Sequence, residues 1–172
     1  MSKIVLIGFM GSGKSTVGSH LASRLNLPIH EMDSLIVERS KLASIPEIFE
    51  LHGEPFFRDL ESEVAEALAS HGSCVISTGG GVVGRPHNME RLTAHGGVVV
   101  FLRTSFDTVS TRNEGLETRP LFKDGKRARA LFNERTPLYE RWATIVVDTD
   151  NRSVDEVCSE IISRLEARSC RP

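Results

Sequence analysis

The nine residues Gly8-Phe-Met-Gly-Ser-Gly-Lys-Ser-Thr16 match the pattern G-x-x-x-x-G-K-[ST] through Gly8, Gly13, Lys14 and Ser15. This composition suits a loop that holds phosphate. Glycine lets the backbone curl until successive N–H groups face a phosphate oxygen. The stretch from Gly11 through Ser12, Gly13, Lys14 and Ser15 to Thr16 is therefore the candidate nucleotide cradle. The Lys14 ammonium is expected to reach the β- and γ-phosphates, and the Ser15 hydroxyl to ligate Mg2+. Such a loop could pass a phosphoryl group to a small molecule, hydrolyse a nucleotide to drive a switch, or only bind it.

Transfer also requires an acceptor site, and four features could build one. Asp33 could accept or align the proton of an attacking hydroxyl; it could also cap the helix that follows. Arg58 and Glu61 lie three residues apart and share a helix face. Glu61 could orient Arg58 toward an anionic substrate, or the two could form a surface ion pair worth little. The adjacent Phe56 and Phe57 point to partial burial and favour the first reading. Gly79-Gly80-Gly81 is costly in backbone entropy, which makes sense where backbone must lie against a ligand and offer it N–H groups. Arg135 could join Arg58 in clamping a carboxylate or stand solvated, and the sequence leaves these two readings even.

These residues must be positioned by regular elements. Lys3–Ile7 is apolar and β-branched, as a buried strand should be. Ser15–Leu27 spaces Val17, Leu21 and Leu25 helically. A short strand from Pro28 ends near Met32, with Asp33 at its carboxyl end and a helix over 34–40. Ser44 and Glu47 form a capping box with Pro46 in the first turn, opening a short helix that ends at Gly53. A longer helix spans Glu54–His71. Cys74–Ser77 is a strand leading into the triple glycine. Helices are expected at His87–His95, Ser105–Arg112, Arg127–Trp142 and Ser153–Glu166, and strands at Val98–Leu102 and Ile145–Asp148. Residues 113–125 read as a mobile loop. Strands alternating with helices imply an α/β fold, a parallel sheet covered on both faces. In such sheets ligands bind beyond the carboxyl ends of the strands, which gathers the phosphate loop, Asp33 and the triple glycine on one edge.

The 172 residues are 40% hydrophobic and 26% charged with net charge −2, enough for one domain with a substantial core and without a general affinity for nucleic acid. No apolar run is long enough to cross a membrane, and the first apolar stretch reads as the strand that feeds the phosphate loop rather than as a signal peptide. The cysteines, Cys74, Cys158 and Cys170, lack metal or redox spacing and suit a reducing cytoplasm. Between Arg112 and Arg141 eight basic side chains face five acidic ones, a local excess suited to phosphate or carboxylate; Lys126, Arg127 and Arg129 are read as a solvated helix face.

GFMGSGKST at 8–16, Asp33, FRDLE at 57–61, STGGGVV at 77–83, TRPLF at 118–122 and RTPLY at 135–139 together resemble the shikimate kinases over nearly the whole chain. The resemblance implies a fold like that of the nucleoside monophosphate kinases, with a central parallel sheet flanked by helices. A helical substrate-binding region would lie at about 34–62 and a lid at about 113–125. It implies transfer of the γ-phosphoryl of ATP to the 3-hydroxyl of shikimate, with Mg2+. Lys14, Asp33 and Arg119 would be catalytic, Arg119 swinging onto the phosphates with the lid. Arg112 and Arg152 would flank adenine. Arg58 and Arg135 would hold the shikimate carboxylate, and Gly80, between Gly79 and Gly81, would touch shikimate through its backbone. The family usually carries Asp-x-Asp after the second strand; here Glu31-Met32-Asp33 places a longer carboxylate on the Mg2+ side. One extra residue is expected in a loop near Lys41 and Leu42.

Two rival functions fit the phosphate loop. A gluconate-type sugar kinase would leave Arg58 and Arg135 without a shared purpose. A nucleotide-dependent switch would not need the triple glycine, and no Asn-Lys-x-Asp stretch is present for reading guanine. The protein is expected to act as a cytoplasmic monomer on two small molecules, with no nucleic-acid or membrane partner.

Overall fold

A computed structural model describes residues 3–113 and 124–169. Residues 114–123 of the expected lid, Arg119 among them, and Cys170 lie outside the described residues, while Asn113 ends one helix and Gly125 begins another. Five strands, β1 (Ile4–Ile7), β2 (Ile29–Glu31), β3 (Val75–Ser77), β4 (Val98–Arg103) and β5 (Ile145–Asp148), form one sheet in the order β2-β3-β1-β4-β5. Every neighbouring pair is parallel, with Val5 opposite Ile76 on one side and Val99 on the other. Among the described residues seven α-helices connect and flank the strands: α1 (Lys14–Leu25), α2 (Met32–Ser40), α3 (Ile45–Ala69), α4 (Pro86–Thr93), α5 (Phe106–Asn113), α6 (Gly125–Trp142) and α7 (Val154–Ser169).

The sheet is buried on both faces, which is why its strands read as unbroken apolar runs. Along β1 the side chains alternate between two cores: Val5 and Ile7 pack with α2, α3, α4 and α6, and Ile4 and Leu6 with α1 and α7. Each fully buried Leu or Ile in these clusters contributes roughly 1.5–3 kcal/mol. α1 presents Val17, Leu21 and Ala22 to the second core. It stops at Asn26, whose left-handed backbone (φ 52°) turns the chain so that Leu27 N–H donates to the Ala22 carbonyl.

Several boundaries differ from expectation. β2 ends at Glu31, and Asp33 lies in the first turn of α2 rather than at a strand end. The N-cap position is Glu31, so Asp33 does not cap the helix. α4 begins at Pro86 and stops at Thr93, ahead of left-handed His95 and Gly96. The second half of α3 ends at Ala69, short of His71. The break expected at Gly53 is present as a non-helical residue (φ 79°, ψ 175°) inside α3. The capping box forms with a shift: Ser44 Oγ accepts from Glu47 N–H at 3.3 Å, while Glu47 accepts from Ala43 N–H at 2.7 Å rather than from Ser44. Lys41 and Leu42 fall in the turn between α2 and α3. No helix among the described residues is long and apolar enough to cross a membrane.

Candidate active site

The parallel sheet delivers its carboxyl ends to one edge, and β1 lies at the switch point between β3 and β4, where such sheets open a crevice. A cleft of about 1570 Å3 occupies that position. Single-ligand pockets run to roughly 1,000 Å3, so this one has room for two. Residues Gly11 to Thr16, Glu31, Asp33, Arg58, Glu61, Gly79 to Gly81, Arg112, Arg135 and Arg152 all line it.

At one end the loop after β1 feeds straight into α1. Gly13 is its N-cap with φ 94°, a conformation that glycine adopts without steric cost. The first amides of α1 therefore open toward the cleft with the positive end of the helix dipole. Lys14, only 8% exposed, folds its ammonium onto the loop, donating to the Gly8 carbonyl at 2.8 Å and the Phe9 carbonyl at 3.0 Å. The end of α5 clasps the outer side of the loop. Arg112 donates to the Gly11 carbonyl at 3.1 Å and Asn113 to the Met10 carbonyl at 3.2 Å. Arg152 stands at the rim, its guanidinium shared among the Asp148 carbonyl, the Glu156 carbonyl and Glu160.

Ser15 Oγ donates to Glu31 Oε2 at 3.0 Å, and the second oxygen, Glu31 Oε1, is buried without a hydrogen-bond partner. The longer carboxylate at position 31 thus reaches the loop hydroxyl directly. A hydroxyl and an under-used carboxylate are hard oxygen donors of the kind that would suit Mg2+. No group of three or more His, Cys, Asp or Glu suited to a metal gathers among the described residues.

The other end of the cleft is assembled from four elements. Arg58 on α3 makes two bonds from Nη1 to the Glu61 carboxylate, at 3.1 and 2.9 Å, and bonds Glu54 at 3.2 Å. The side chain of Glu61 is 1% exposed and that of Arg58 17%, so this is a buried, oriented pair and not the weak surface bridge. Burial alone would lower Arg58, but Glu61 and Glu54 outweigh it and hold the guanidinium above its ordinary value. Burial pushes Glu61 upward against the pull of Arg58; Asp33 adds to the rise and Arg135 opposes it. Asp33, Glu61, Arg58 and Arg135 therefore share one electrostatic neighbourhood.

The triple glycine fits between them for lack of side chains. A Cβ on Gly79 would lie 3.1 Å from Asp33 Oδ1 and 3.2 Å from Glu61 Oε1, and one on Gly81 would overlap the Arg58 guanidinium. A Cβ on Gly80 would stand 3.3 Å from Met10 N and 3.7 Å from Arg135 Nη1. The loop after it is tied back to α3, where Arg85 donates to the Arg58 carbonyl at 3.0 Å, Asp59 at 2.8 Å and Ser62 at 3.1 Å. Tyr139 on α6 donates to the Gly80 carbonyl at 2.5 Å. Val37, Ile45, Pro46, Phe49 and Phe57 give this end an apolar wall.

The family model for shikimate kinase matches residues 10–166. The chain belongs to the shikimate kinase family. It is 44% identical over 168 residues to the shikimate kinase of Geobacter metallireducens, covering 96% of this chain and 92% of that one. The shikimate kinase of Sulfurihydrogenibium sp. is 39% identical over 98% of this chain and its own full length. Among solved structures, the shikimate kinase from Acinetobacter baumannii in complex with shikimate superposes with a TM-score of 0.92 at 32% identity, covering 99% of this chain and 96% of that one. The Aquifex aeolicus shikimate kinase gives 0.85 at 39% identity over 98% of each chain. The chain is thus an ATP-dependent kinase with the P-loop nucleoside-monophosphate-kinase fold.

The cleft brings together every expected site residue that lies among the described ones. Three contributors escaped the sequence reading. Tyr139 carried a usable signal, one helical turn beyond Arg135 and on the same face. Arg85 and Asn113 carried none, because each acts on backbone carbonyls that only the tertiary fold brings near.

Proposed function

We propose that this member of the shikimate kinase family phosphorylates the 3-hydroxyl of shikimate from ATP, by direct in-line transfer between the two ends of the cleft. The observation that carries the reading is the opening of the Arg58–Arg135 pair and the phosphate loop into one crevice. Arg58 and Arg135 grip the carboxylate, and Glu61 fixes the orientation of Arg58. Asp33 takes or directs the proton of the attacking hydroxyl. That oxygen forms a bond to the γ-phosphorus as the bond to the ADP oxygen breaks, and Lys14 leaves its loop carbonyls for the phosphates. Arg119 adds positive charge from the lid, and Arg112 and Arg152 border the base. Ser15 and Glu31 would hold Mg2+, which when bound neutralises charge on the β- and γ-phosphates. The residues at about 34–62 supply the acceptor wall. The protein works as a monomer in the cytoplasm, and its partners are its two small-molecule substrates.

Such a reaction asks the protein mainly for positioning and charge, and a cleft with charge at both ends and an apolar wall between them supplies both. The test is ADP release with ATP and Mg2+ in the presence of shikimate or gluconate, with the product located by phosphorus NMR. Shikimate-dependent release and a phosphate on the 3-oxygen are expected. Turnover of gluconate at a comparable rate, or hydrolysis indifferent to both acceptors, overturns the proposal.

A further inference from the structure

Tyr139 is the only tyrosine in the chain and is 1% exposed. Its ring packs on Phe101 of β4 with centroids 5.2 Å apart, and burial holds its phenol far above the ordinary value of 10.0, against the nearby Arg135 charge. Its hydroxyl donates to the Gly80 carbonyl.

Gly80 is the point where the acceptor loop touches the phosphate loop. A Cβ on it would stand 3.3 Å from Met10 N and 3.6 Å from the Gly8 carbonyl. A run of three glycines has no side chains to restrict its dihedral angles, so hydrogen bonds must fix it: Val82 N–H donates to the Gly79 carbonyl at 3.2 Å, Gly84 N–H to the Gly81 carbonyl at 3.0 Å, and Tyr139 to the Gly80 carbonyl. Holding the Gly80 carbonyl fixes the plane of the peptide to Gly81, because that unit is rigid. Gly81 in turn lies against the Arg58 guanidinium. Tyr139 and Arg135 are four residues apart on α6, hence neighbours on one face about 6 Å apart along the axis.

We infer that Tyr139 is a positioning residue: its bond to the Gly80 carbonyl sets the register of the acceptor grip against the phosphate loop. The inference rests on the proposed function, since it takes the acceptor to lie between Arg58, Arg135 and the triple glycine. One helix then supplies a ligand for the acceptor and the tether of the loop beneath it. A shift of about 1 Å at such a junction is enough to cost on the order of 100-fold in rate.

Tyr139→Phe removes the hydroxyl and keeps the ring. The expected result is a fall in kcat of about 10- to 100-fold, a raised shikimate KM and an ATP KM within about twofold of the parent. The lone tyrosine offers a second measurement on the unmutated fold: 3-fluorotyrosine incorporated biosynthetically labels position 139 alone, and its single fluorine resonance is expected to shift on saturation with shikimate. A variant with kcat and shikimate KM both unchanged, or one in which the ATP and shikimate KM values rise equally, overturns the inference. So does a fluorine line that shikimate does not move while the enzyme turns over. A parent without shikimate turnover overturns the functional proposal and this inference together, whereas a competent parent with an indifferent variant overturns only the latter.

Discussion

The phosphate cradle is nine consecutive residues running from the end of β1 into the first turn of α1, whereas the proposed acceptor grip draws Asp33 from α2, Arg58 and Glu61 from α3, Gly79–Gly81 from the loop after β3 and Arg135 from α6. Both ends use glycine, for different reasons. In the cradle Gly11 and Gly13 have φ of 84° and 94°, so backbone conformation is the shared requirement, joined at Gly11 by the Asn113 amide that a Cβ would overlap. In the acceptor loop Gly79, Gly80 and Gly81 are absent from the positive-φ residues, and the requirement is room for neighbouring side chains. The cradle is thus a local device that any strand–loop–helix can carry. The grip exists only because the sheet order brings four distant segments to one edge.

The largest expected effects separate the two ends most sharply. Lys14→Ala and Asp33→Ala should each lower kcat by about 10²- to 10⁴-fold. Only Lys14→Ala should also weaken nucleotide binding, measured by calorimetry with a non-hydrolysable ATP analogue. Near-normal turnover by Asp33→Ala would remove it as the base and leave the acceptor end a binding surface only.

A smaller effect tests the claim of room. Gly81→Ala must displace Arg58, and a loss of about 1.4 kcal/mol or more in acceptor binding corresponds to at least a tenfold rise in shikimate KM. The ATP KM should stay put. A variant with the parental shikimate KM would show that Arg58 has room to move at no cost.

The smallest effect is electrostatic. The Glu61 carboxyl is raised above its ordinary value of 4.5, with burial the leading cause. Between that value and the raised one the folded protein holds a proton that the unfolded chain has lost, so this group's contribution to stability falls as pH rises through the window. Glu61→Gln should remove that decline. The difference between the melting temperatures of parent and variant, followed from about pH 4 upward, should favour the parent most at the acid end. A flat difference would mean that Glu61 is ionised as readily as an exposed carboxylate.

The alternation of elements and the edge on which ligands gather were legible because buried parallel strands and amphipathic helices leave local signatures. The cradle was legible because its pattern is contiguous. The start of α2 was not. Glu31-Met32-Asp33-Ser34 offers several polar residues able to begin a helix, and a three-residue strand carries too little periodicity to decide among them. The strand order was also hidden, since β3 returning to lie between β2 and β1 depends on packing of long-range partners. For the same reason the sequence left Arg135 undecided between clamp and solvent. The Arg58–Glu61 spacing could be seen, but the burial that turns it from a surface bridge into an oriented guanidinium comes from Leu60, Val64, Ala65 and Leu68 on the same helix.

The interruption of α3 at Gly53 falls between two groups of residues that line the cleft. Ile45, Pro46 and Phe49 lie before it and shape the apolar wall, while Arg58 and Glu61 lie after it on the stretch anchored in the core. Phe57 carries the wall across the break by packing on Phe49, ring centroids 4.8 Å apart, so the two segments meet at one aromatic contact. On the proposed function, altering Ile45 or Pro46 would retune which carbon skeleton is admitted with the least disturbance of Arg58, which makes the segment before Gly53 the natural starting point for redirecting the enzyme to new alcohols.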